Sequence, residues 1–531
     1  MKKGLLVAVM VTLVFHVNHI YAQYDPLLFA SGITAEELKE HLMVFASDAF
    51  EGRETGKPGQ ALAASYLEEY YKQLGIPGGV AGFYQQEFSL REESLGASFI
   101  TMNGNRYEFI QDFFCLATSA SGIVPIRDIV FVGYGIDDTR YNDYTGHDDL
   151  QGKWVVCVAG EPKTSKGLYV LTGTNEPGVW TDEVGRKMAA AEKRGASGIL
   201  LIRQDYDSFI PRIRFWLEAP QMMLDFPEEM KKNEEPSFPY FFVSPRIGDV
   251  LSKAAFGKPL EKIISSWEKK GQAKTSAADY EGEIHVERTI ERTKSQNVLA
   301  FIEGSDERLK DEVVVISAHY DHVGVIKGEI HNGADDDGSG TVTAMEIAEA
   351  FHEAKLKGQG PRRSVLILHV SGEEKGLLGS EWYTEFPAFS LDKTVCNLNI
   401  DMIGRTDEEH AGNERYVYLI GSDRLSSDLH RISEEANTTY TGLQLDYTYN
   451  DPADPNRYYY RSDHYNFARK GIPVIFYFSG VHEDYHRPGD DPEKIMYGKM
   501  AEIGQLIFHT AWKVANADRR PAVDKAVETE D

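Results

Sequence analysis

The second half of the chain carries several side chains that could bind metal ions or transfer protons, and most of them directly follow a short apolar run. These candidates are His319, Asp321, Asp336, Glu373, Glu374, Asp401 and His486. Two zinc ions about 3.5–4 Å apart need one bridging carboxylate, two further protein ligands each and room for a shared water. One bridging Asp, two His, one further Asp and one Glu meet that need, and Glu373 is left over as a base. The pattern therefore predicts a two-metal hydrolase.

The apolar runs before these candidates have the character of strands that are buried on both faces. The first run, Val313–Ile316, is β-branched throughout and ends at His319. A short unbroken apolar run bounded by turn residues is typical of such a strand. Ligands and metals collect beyond the carboxyl ends of the strands in open parallel sheets. We therefore expect the candidates to meet at one edge of one sheet.

Strands and helices alternate from residue 290 onward, as an α/β fold requires. The strand-like runs NVLAFIEG, SVLILHVS, VCNLNIDMIG, YVYLIG and PVIFYFSG are separated by helical segments that include residues 341–356 and 425–436. This alternation predicts a mixed, mostly parallel sheet with helices on both faces. Two earlier helices are predicted at residues 34–48, where Thr34 and Glu37 have capping-box spacing, and at 61–74, before Gly75.

Residues 105–285 have a different character from the rest of the chain. Short strand-like runs such as DIVFVGYGI, KWVVCVAG, GILLI and YFFVS dominate, with one clear helix at Glu183–Arg194. The sequence predicts a smaller, β-rich domain inserted into the catalytic chain. Its helix-strand unit around GASGILLI carries no catalytic residue types in a useful spacing.

Length, charge and cysteine content limit the possible classes of protein. At 531 residues two domains are expected, and the formal net charge of -27 argues against nucleic acid as a partner. Cys115, Cys157 and Cys396 stand far apart without a CxxC pair, so they do not describe a disulfide framework. Metal binding must therefore use histidines and carboxylates.

The first residues, MKKGLLVAVMVTLVFHVNHIYA, have the pattern of a secretory signal peptide. Lys2 and Lys3 precede an apolar core that ends at Ala22, which predicts a signal peptide at residues 1–22 and export to the periplasm or the extracellular space. A membrane anchor is the alternative, but the run is short and His16, Asn18 and His19 interrupt it. No later segment approaches the ~20 apolar residues of a spanning helix, so no stable membrane insertion is expected. The tail at residues 517–531 lacks apolar spacing and is predicted to be disordered.

Several segments of the chain resemble the secreted di-zinc aminopeptidases of the bacterial leucine-aminopeptidase type. The resemblance rests on residues 313–340, 371–380, 397–404 and 462–489, and also on DAFEGRETGKPG and NVLAFIEGSD. Residues 105–285 resemble the protease-associated domain that is often inserted in that family. The resemblance implies a zinc exopeptidase fold at residues 24–104 and 286–516, interrupted by this domain.

The resemblance also implies a role for each candidate residue. One zinc ion would be bound by His319 and Asp401, the other by Glu374 and His486, with Asp336 as the bridge. Asp321 would hold the ligand imidazole of His319 in one tautomer. Glu373 would act as the general base towards a zinc-bridging water, and Tyr485 would steady the oxyanion.

Other polar residues near these segments have alternative interpretations. His482 lies four residues before His486 and could compete as a ligand. His322 and His331 are expected to be solvated or to lie behind the ligands, while Asp335 and Asp337 are expected to cap backbone amides. Asp463 and His464 are expected to form structural hydrogen bonds, and His369 to be a core histidine.

The function that these observations predict is removal of N-terminal residues from peptides by an exported enzyme with two zinc ions. Rivals on the same fold are a glutamate-type carboxypeptidase, a glutaminyl cyclase and a peptide-binding protein without activity. A carboxypeptidase should show an arginine clamp, for which Arg457 and Arg461 are available. A cyclase would normally use one zinc ion, and a binding protein should lack ligands. The preferred N-terminal residue and the oligomeric state are not encoded in any recognisable segment.

Overall fold

A computed structural model of the chain describes residues 26–115, 121–231 and 238–527. Contacts between Cα atoms divide it into two compact units. The first unit contains the residues up to Gln86, Asn297–Glu373 and the residues from Gly379 onward. The second unit contains Glu87–Gln296 and the short segment Glu374–Leu378. The predicted insert, residues 105–285, falls within the range of the second unit.

The first unit is built on a mixed sheet. Its strands in chain order are β1 (Arg288–Ile302), β2 (Val313–His319), β3 (Ser364–Val370), β4 (Thr394–Ile400), β5 (Tyr416–Ile420), β6 (Gln444–Asp446) and β7 (Val474–Phe478). Their spatial order is β1-β3-β2-β4-β7-β5-β6. Strands β3, β2, β4 and β7 are mutually parallel, whereas β1 is antiparallel to β3 and β5 is antiparallel to β7. The mixed, mostly parallel α/β sheet predicted from the alternation is confirmed.

The parallel strands are buried on both faces, as their unbroken apolar sequences require. Every residue of β2, β3 and β4 is buried. Along β2, Val314 and Ile316 join one apolar cluster, while Val313 and Val315 join another on the opposite face. The helices of this part of the chain are Leu27–Ala30, Ala35–Phe45, Pro58–Leu74, Gly340–Leu356, Leu378–Glu385, Ser427–Ala436, His464–Ala468 and Tyr497–Asn516.

The two early helices are present, each with one end as predicted. The first, Ala35–Phe45, begins after Thr34 but ends before residue 48, and the second, Pro58–Leu74, ends before Gly75 but begins before residue 61. The Thr34 hydroxyl accepts a hydrogen bond from the Glu37 N–H at 3.2 Å and caps the first helix. Gly75 ends the second helix with φ 77°, in the left-handed region that a residue with a side chain avoids. Leu38, Leu42 and Leu67 of these helices pack in the same apolar cluster as Val314.

The second unit contains an eight-stranded sheet. In spatial order its strands are Asn105–Glu108, Phe99–Met102, Thr275–Val286, Gly122–Val132, Trp154–Val158, Gly198–Ile202, Tyr240–Val243 and Phe113–Phe114. The four strands from Gly122–Val132 to Tyr240–Val243 are parallel to one another. Gln85–Leu95 and Gln221–Leu224 form a further antiparallel pair. Shorter strands lie at Asp137–Asp138 and Tyr141–Asn142.

The second unit has more helix than the sequence analysis predicts. The predicted helix is present at Val184–Glu192, and further helices occupy Val179–Asp182, Tyr206–Glu218, Glu228–Lys231, Pro245–Phe256 and Leu260–Lys270. In the last of these, Leu260, Ile263, Ile264 and Trp267 are buried, which is a helical period. The prediction of one clear helix was therefore wrong, because the helical spacing of apolar residues at 260–270 lies next to strand-like runs of similar length.

Two predictions concern the ends of the chain. The predicted signal peptide at residues 1–22 lies outside the described residues. Residues 517–527 contain no helix or strand, but the Arg520 guanidinium donates hydrogen bonds to the Asp392 and Thr394 carbonyls. Disorder of the last four residues stays a prediction, because they also lie outside the described residues. Within the described ranges, no helix is both long enough and apolar enough to cross a membrane.

Candidate metal centre

Three neighbouring parallel strands deliver the candidate residues to one edge of the first sheet. His319 is the last residue of β2, Asp401 directly follows β4, and Glu373 lies in the loop after β3. Since β2 pairs in parallel with both β3 and β4, these strand ends point the same way. The sheet thus brings together residues that are more than 80 positions apart in the sequence.

The first group of possible ligands consists of His319, Asp336 and Asp401. Their ligand atoms all lie within 4.8 Å of one another. His319 Nε2 is 3.3 Å from Asp336 Oδ1 and 3.6 Å from Asp401 Oδ1. All three residues are buried. This group matches the ligand set that the family resemblance implies for one zinc ion.

A second group of possible ligands consists of His322, Asp336 and Glu374, again within 4.8 Å of one another. Asp336 is common to both groups, which is the property expected of a bridging carboxylate. The predicted ligand His486 also contacts this carboxylate, since its Nε2 atom is 3.1 Å from Asp336 Oδ2. His486 is not a member of either three-residue group, and its side chain is 37% exposed. His322 is not among the ligands that the resemblance implies, and no spacing in the sequence indicates that it is one.

The shared aspartate is held by a loop whose backbone is tied down from several sides. Asp336 lies in the turn Ala334–Ser339 directly before the helix Gly340–Leu356. The Asp490 carboxylate accepts hydrogen bonds from the Asp335 and Asp336 N–H groups at 3.0 and 3.1 Å. The Asp337 carboxylate accepts hydrogen bonds from Gly340 N at 2.9 Å and Met402 N at 3.1 Å. Asp490 had not been singled out in the sequence.

Asp335 and His482 form a separate contact beside the shared aspartate. The Asp335 carboxylate accepts a hydrogen bond from Gly404 N at 2.6 Å, and its other oxygen is 3.2 Å from His482 Nε2. The two histidines that compete in the sequence therefore face different carboxylates, His482 facing Asp335 and His486 facing Asp336. This favours His486 over His482 as the residue at the metal centre.

The fully buried side chain of Arg53 supports both ends of the segment between His319 and Asp336. Its guanidinium donates hydrogen bonds to the carbonyls of Tyr320, Asn332 and Gly333 at 2.9, 2.7 and 2.8 Å. These carbonyls lie beside His319 on one end of the loop and before Asp336 on the other. Arg53 belongs to the early segment DAFEGRETGKPG, which is part of the family resemblance. The sequence does not show that its side chain supports this loop.

His319 is oriented by Asp321, although not through the group that the resemblance implied. His319 Nδ1 is 3.1 Å from the backbone carbonyl oxygen of Asp321 and 3.8 Å from its carboxylate. The carboxylate instead accepts hydrogen bonds from the Thr55 hydroxyl at 2.6 Å and from Glu373 N at 3.3 Å. A proton on Nδ1 leaves Nε2 of His319 as the atom that faces Asp336 and Asp401.

The charges at the centre perturb its titratable groups strongly. Burial acts to lower the pKa of His319, but the carboxylates of Glu373 and Asp401 raise it well above its ordinary value. Burial acts to raise the pKa of Asp336, but contacts with His319 and His486 hold it well below its ordinary value. A surplus of carboxylate around buried imidazoles is an environment that attracts a cation.

The donor set fits zinc. His319 Nε2 and Asp336 Oδ2 are buried atoms that make no hydrogen bond within the described part of the chain. Buried polar atoms without hydrogen bonds are expensive unless a charge or a metal ion compensates them. Imidazole nitrogen and carboxylate oxygen are common zinc ligands, and the two groups that share Asp336 provide two positions.

A recess that is open to solvent adjoins these carboxylates. Asp336, Glu373 and Asp401 line it, together with Met402, Tyr458, Arg461, Phe476, Phe478, Val481 and Tyr485. Tyr485 also stacks on His486 with ring centroids 3.9 Å apart. Glu373 Oε2 lies 4.0 Å from His319 Nε2, and Glu373 is not in either ligand group. It is therefore available for proton transfer in the recess.

The remaining polar candidates have structural contacts. His369 is buried in β3 with Nε2 2.6 Å from the Tyr71 hydroxyl, and burial lowers its pKa to about 3. Asp463 accepts a hydrogen bond from the Ser380 hydroxyl at 2.5 Å, and the His464 ring stacks on Phe476. His331 is buried at the end of the short strand Glu329–His331.

Comparisons with known proteins agree with this centre. The model of peptidase family M28 matches residues 297–511. A "Probable leucine aminopeptidase" of Arthroderma otae is 30% identical over 239 residues, covering 44% of this chain and 61% of that protein. Aminopeptidase YwaD of Bacillus subtilis is 26% identical over 238 residues, covering 44% of this chain and 47% of that protein. The chain thus spans about half the length of the curated relatives it matches.

A solved structure resembles the chain over a greater length. The aminopeptidase from Aneurinibacillus sp. strain AM-1 aligns with a TM-score of 0.53 and 17% identity, covering 96% of this chain and 99% of that chain. The predicted resemblance to zinc aminopeptidases is confirmed. The sequence match at residues 297–511 includes every candidate ligand named above. The model of peptidase family M28 thus matches the part of the chain that carries the candidate metal centre.

Proposed function

We propose that the protein is an exported di-zinc aminopeptidase that hydrolyses the first peptide bond of its substrates. The observation that carries the proposal is the buried carboxylate of Asp336, which is shared by two ligand groups and borders a recess that also contains Glu373. The relatives named as aminopeptidases support the same reaction class. One position would be held by His319, Asp336 and Asp401, and the other by Asp336, Glu374 and His486.

The recess offers contact with a substrate side chain. Met402, Phe476 and Phe478 line it and provide apolar surface. The ligand carboxylates that border the recess would be neutralised by the zinc ions that they bind, so their charge does not select one end of the substrate. The preference for a free N-terminus is supported by the relatives that are named aminopeptidases.

Glu373 is the residue that would move protons. Bound zinc would polarise the substrate carbonyl and lower the pKa of water. Glu373 Oε2 would accept a proton from the attacking water and deliver it to the nitrogen of the leaving peptide. The Asp321 carboxylate, by accepting a hydrogen bond from the Glu373 N–H, would hold the backbone of this base in place. Tyr485 lines the same recess and would donate a hydrogen bond to the developing oxyanion.

The carboxypeptidase alternative has less support. It needs a pair of arginines to clamp a substrate carboxylate. Of the two arginines that the sequence offers, Arg461 lines the recess, whereas Arg457 lies over the ring of Tyr460, 4.8 Å from its centroid. A single arginine beside several carboxylates does not form such a clamp.

The origin of the second unit and the location of the protein belong to the same proposal. The strand-rich second unit, with its inserted position in the chain, fits a protease-associated domain. The N-terminal charged and apolar pattern supports export. Cell fractionation with a reporter fused after residue 30, compared with a fusion that lacks residues 1–22, tests the second point. Equal retention of both fusions inside the cell would contradict export.

The direct test of the reaction uses aminoacyl chromophores alongside peptides with blocked amino or carboxyl ends. We expect hydrolysis to require a free amino end and to tolerate a blocked carboxyl end. Removal of metal with a chelator should abolish hydrolysis, and zinc should restore it with two ions per chain by metal analysis. Release of residues from the carboxyl end, or full activity after verified metal removal, would contradict the proposal.

A further inference from the structure

His322 faces the same carboxylate oxygen as His486. Its Nδ1 atom is 3.7 Å from Asp336 Oδ2, and His322 is fully buried. The rings of His322 and His486 meet edge to face, with centroids 5.7 Å apart. His322 and Glu374 each place a ligand atom within 4.8 Å of Asp336 and of each other. The Asp336 carboxylate therefore has two imidazoles and a second carboxylate as neighbours, as expected of a metal ligand.

Contacts with the backbone of Arg53 and Gly333 hold the His322 ring in this position. The His322 N–H donates a hydrogen bond to the Arg53 carbonyl at 3.3 Å. A Cβ atom at Gly333 would lie only 2.5 Å from Cγ and Cδ2 of His322, so the backbone of Gly333 packs directly against the ring. Gly333 has φ 56°, and its carbonyl accepts a hydrogen bond from the buried Arg53 guanidinium. Arg53 therefore fixes both the backbone of His322 and the surface on which its ring rests.

The distance argues against a simple hydrogen bond as the reason for this placement. At 3.7 Å, His322 Nδ1 and Asp336 Oδ2 are too far apart for a hydrogen bond. Asp336 Oδ2 is a buried atom that makes no hydrogen bond within the described residues. Two atoms that bind the same ion lie roughly 3–4 Å apart, because each lies about 2 Å from the ion in a different direction. The 3.7 Å between His322 Nδ1 and Asp336 Oδ2 falls within that range.

We propose that His322 is a ligand of the second metal position, together with Asp336, Glu374 and His486. The inference rests on the proposed metal centre but not on activity towards peptides. Four protein ligands would hold an ion at this position, whereas the position formed by His319, Asp336 and Asp401 has three. A water shared by the two ions could still bind at the second position as a fifth ligand, because catalytic zinc can become five-coordinate. The two ions should therefore differ in affinity, with the second position the tighter one.

The test is a metal titration of the full-length chain after removal of metal by a chelator. Zinc binding is measured by competition with a chromophoric chelator, and cobalt(II) absorption reports on the ligands of each position. The variants are His322→Gln, which removes the nitrogen ligand, and His322→Cys, which supplies another zinc ligand. His509→Gln serves as a control. His509 is a buried histidine of the helix Tyr497–Asn516, and its ring stacks on Tyr440.

We expect His322→Gln to weaken the tighter zinc ion by more than ~100-fold, the upper end of the loss caused by removing a residue that merely supports a ligand. The cobalt spectrum of that position should change, His322→Cys should retain two ions, and His509→Gln should match the wild type. Unchanged zinc affinity in His322→Gln would overturn the proposal. Weaker binding with an unchanged cobalt spectrum would also overturn it, since His322 would then only support another ligand.

These outcomes are separate from the fate of the proposed function. If the wild type binds two zinc ions but hydrolyses no peptide, the aminopeptidase assignment fails and the role of His322 stands or falls on the titration alone. If the wild type binds no zinc, the metal centre fails and the role of His322 fails with it.

Discussion

The two sheets of the molecule have similar geometry and different chemistry. In the first unit, the buried parallel strands β2, β3 and β4 lead into His319, Glu373 and Asp401. In the second unit, the buried parallel strands Trp154–Val158, Gly198–Ile202 and Tyr240–Val243 lead into Glu161, Arg203 and Ser244. The second set is used locally: Glu161 accepts a hydrogen bond from Trp180 N at 3.0 Å, and Arg203 pairs with Asp205 at 2.9 Å. Parallel strands provide a place where side chains can meet, and the residue types decide whether anything binds there.

The loops beside the two sheets show the same contrast. In the second unit, the Asp143 carboxylate accepts hydrogen bonds from the N–H groups of Tyr134 and Ile136, and burial raises its pKa to about 6. The Asp143 carboxylate therefore serves as a hydrogen-bond acceptor for the backbone of its own loop. In the first unit, Asp490 and Asp337 perform that task, which leaves the Asp336 carboxylate facing the histidines. A metal position needs such supporting carboxylates in addition to the ligands.

The comparison predicts that exchanging a carboxylate for an amide after a strand changes kcat in the first sheet and leaves it unchanged in the second. Glu373→Gln should lower kcat by ~10²–10⁴-fold, the usual contribution of a general base, while two zinc ions remain bound. The reason is that Glu373 lies in the recess but in neither ligand group. Glu161→Gln in the second sheet should leave kcat unchanged, because its amide oxygen can still accept from Trp180 N. Substantial activity in Glu373→Gln with both ions present would remove Glu373 from the role of base.

A smaller effect is expected from the carboxylate that supports the shared ligand. Asp490→Asn places an amide group against the N–H groups of Asp335 and Asp336 and should weaken zinc binding by ~10–100-fold. The measurement is chelator competition on the purified chain. Asp491→Asn is the neighbouring control, because the Asp491 carboxylate accepts a hydrogen bond from the Asn332 side-chain amide and not from the N–H groups of Asp335 and Asp336. The zinc affinity of this variant should stay within a few-fold of the wild type. Equal losses in both variants would point to general disturbance of the loop.

The last prediction concerns stability rather than chemistry. Lys499 is buried beside β5, where its ammonium group donates to the Tyr416 carbonyl at 2.8 Å, and burial lowers its pKa to about 7. In the unfolded chain Lys499 would keep its proton up to its ordinary pKa of 10.5, so the unfolding free energy should rise as the pH goes from about 7 towards 10.5. In Lys499→Met this contribution to the rise should be absent. Denaturant unfolding across that pH range tests this, with Lys513→Met on the same helix as control; identical pH profiles for wild type and Lys499→Met would contradict it.

Much of the fold and most of the centre could be predicted from the sequence because the relevant signals are local. The run Val313–Ile316 is long enough and apolar enough to indicate a strand buried on both faces, and alternation with helices indicates a mixed, mostly parallel sheet. The strand order comes only from the structure. His319, Glu373 and Asp401 stand at or just after the ends of such runs. The helices of the second unit were missed because their amphipathic periods, such as that of Leu260–Lys270, lie among short strand-like runs.

Only the tertiary structure decided how the remaining polar residues are used. Three histidines lie near the centre, and the structure directs His482 to Asp335 and both His322 and His486 towards Asp336. The same is true of Arg53, which is fully buried more than 260 positions before the loop it supports. The sequence by itself determined the types of ligand and the strands that present them. The direction of each imidazole depends on contacts between distant segments, because a ring is fixed by what packs against it and not by its position along the chain.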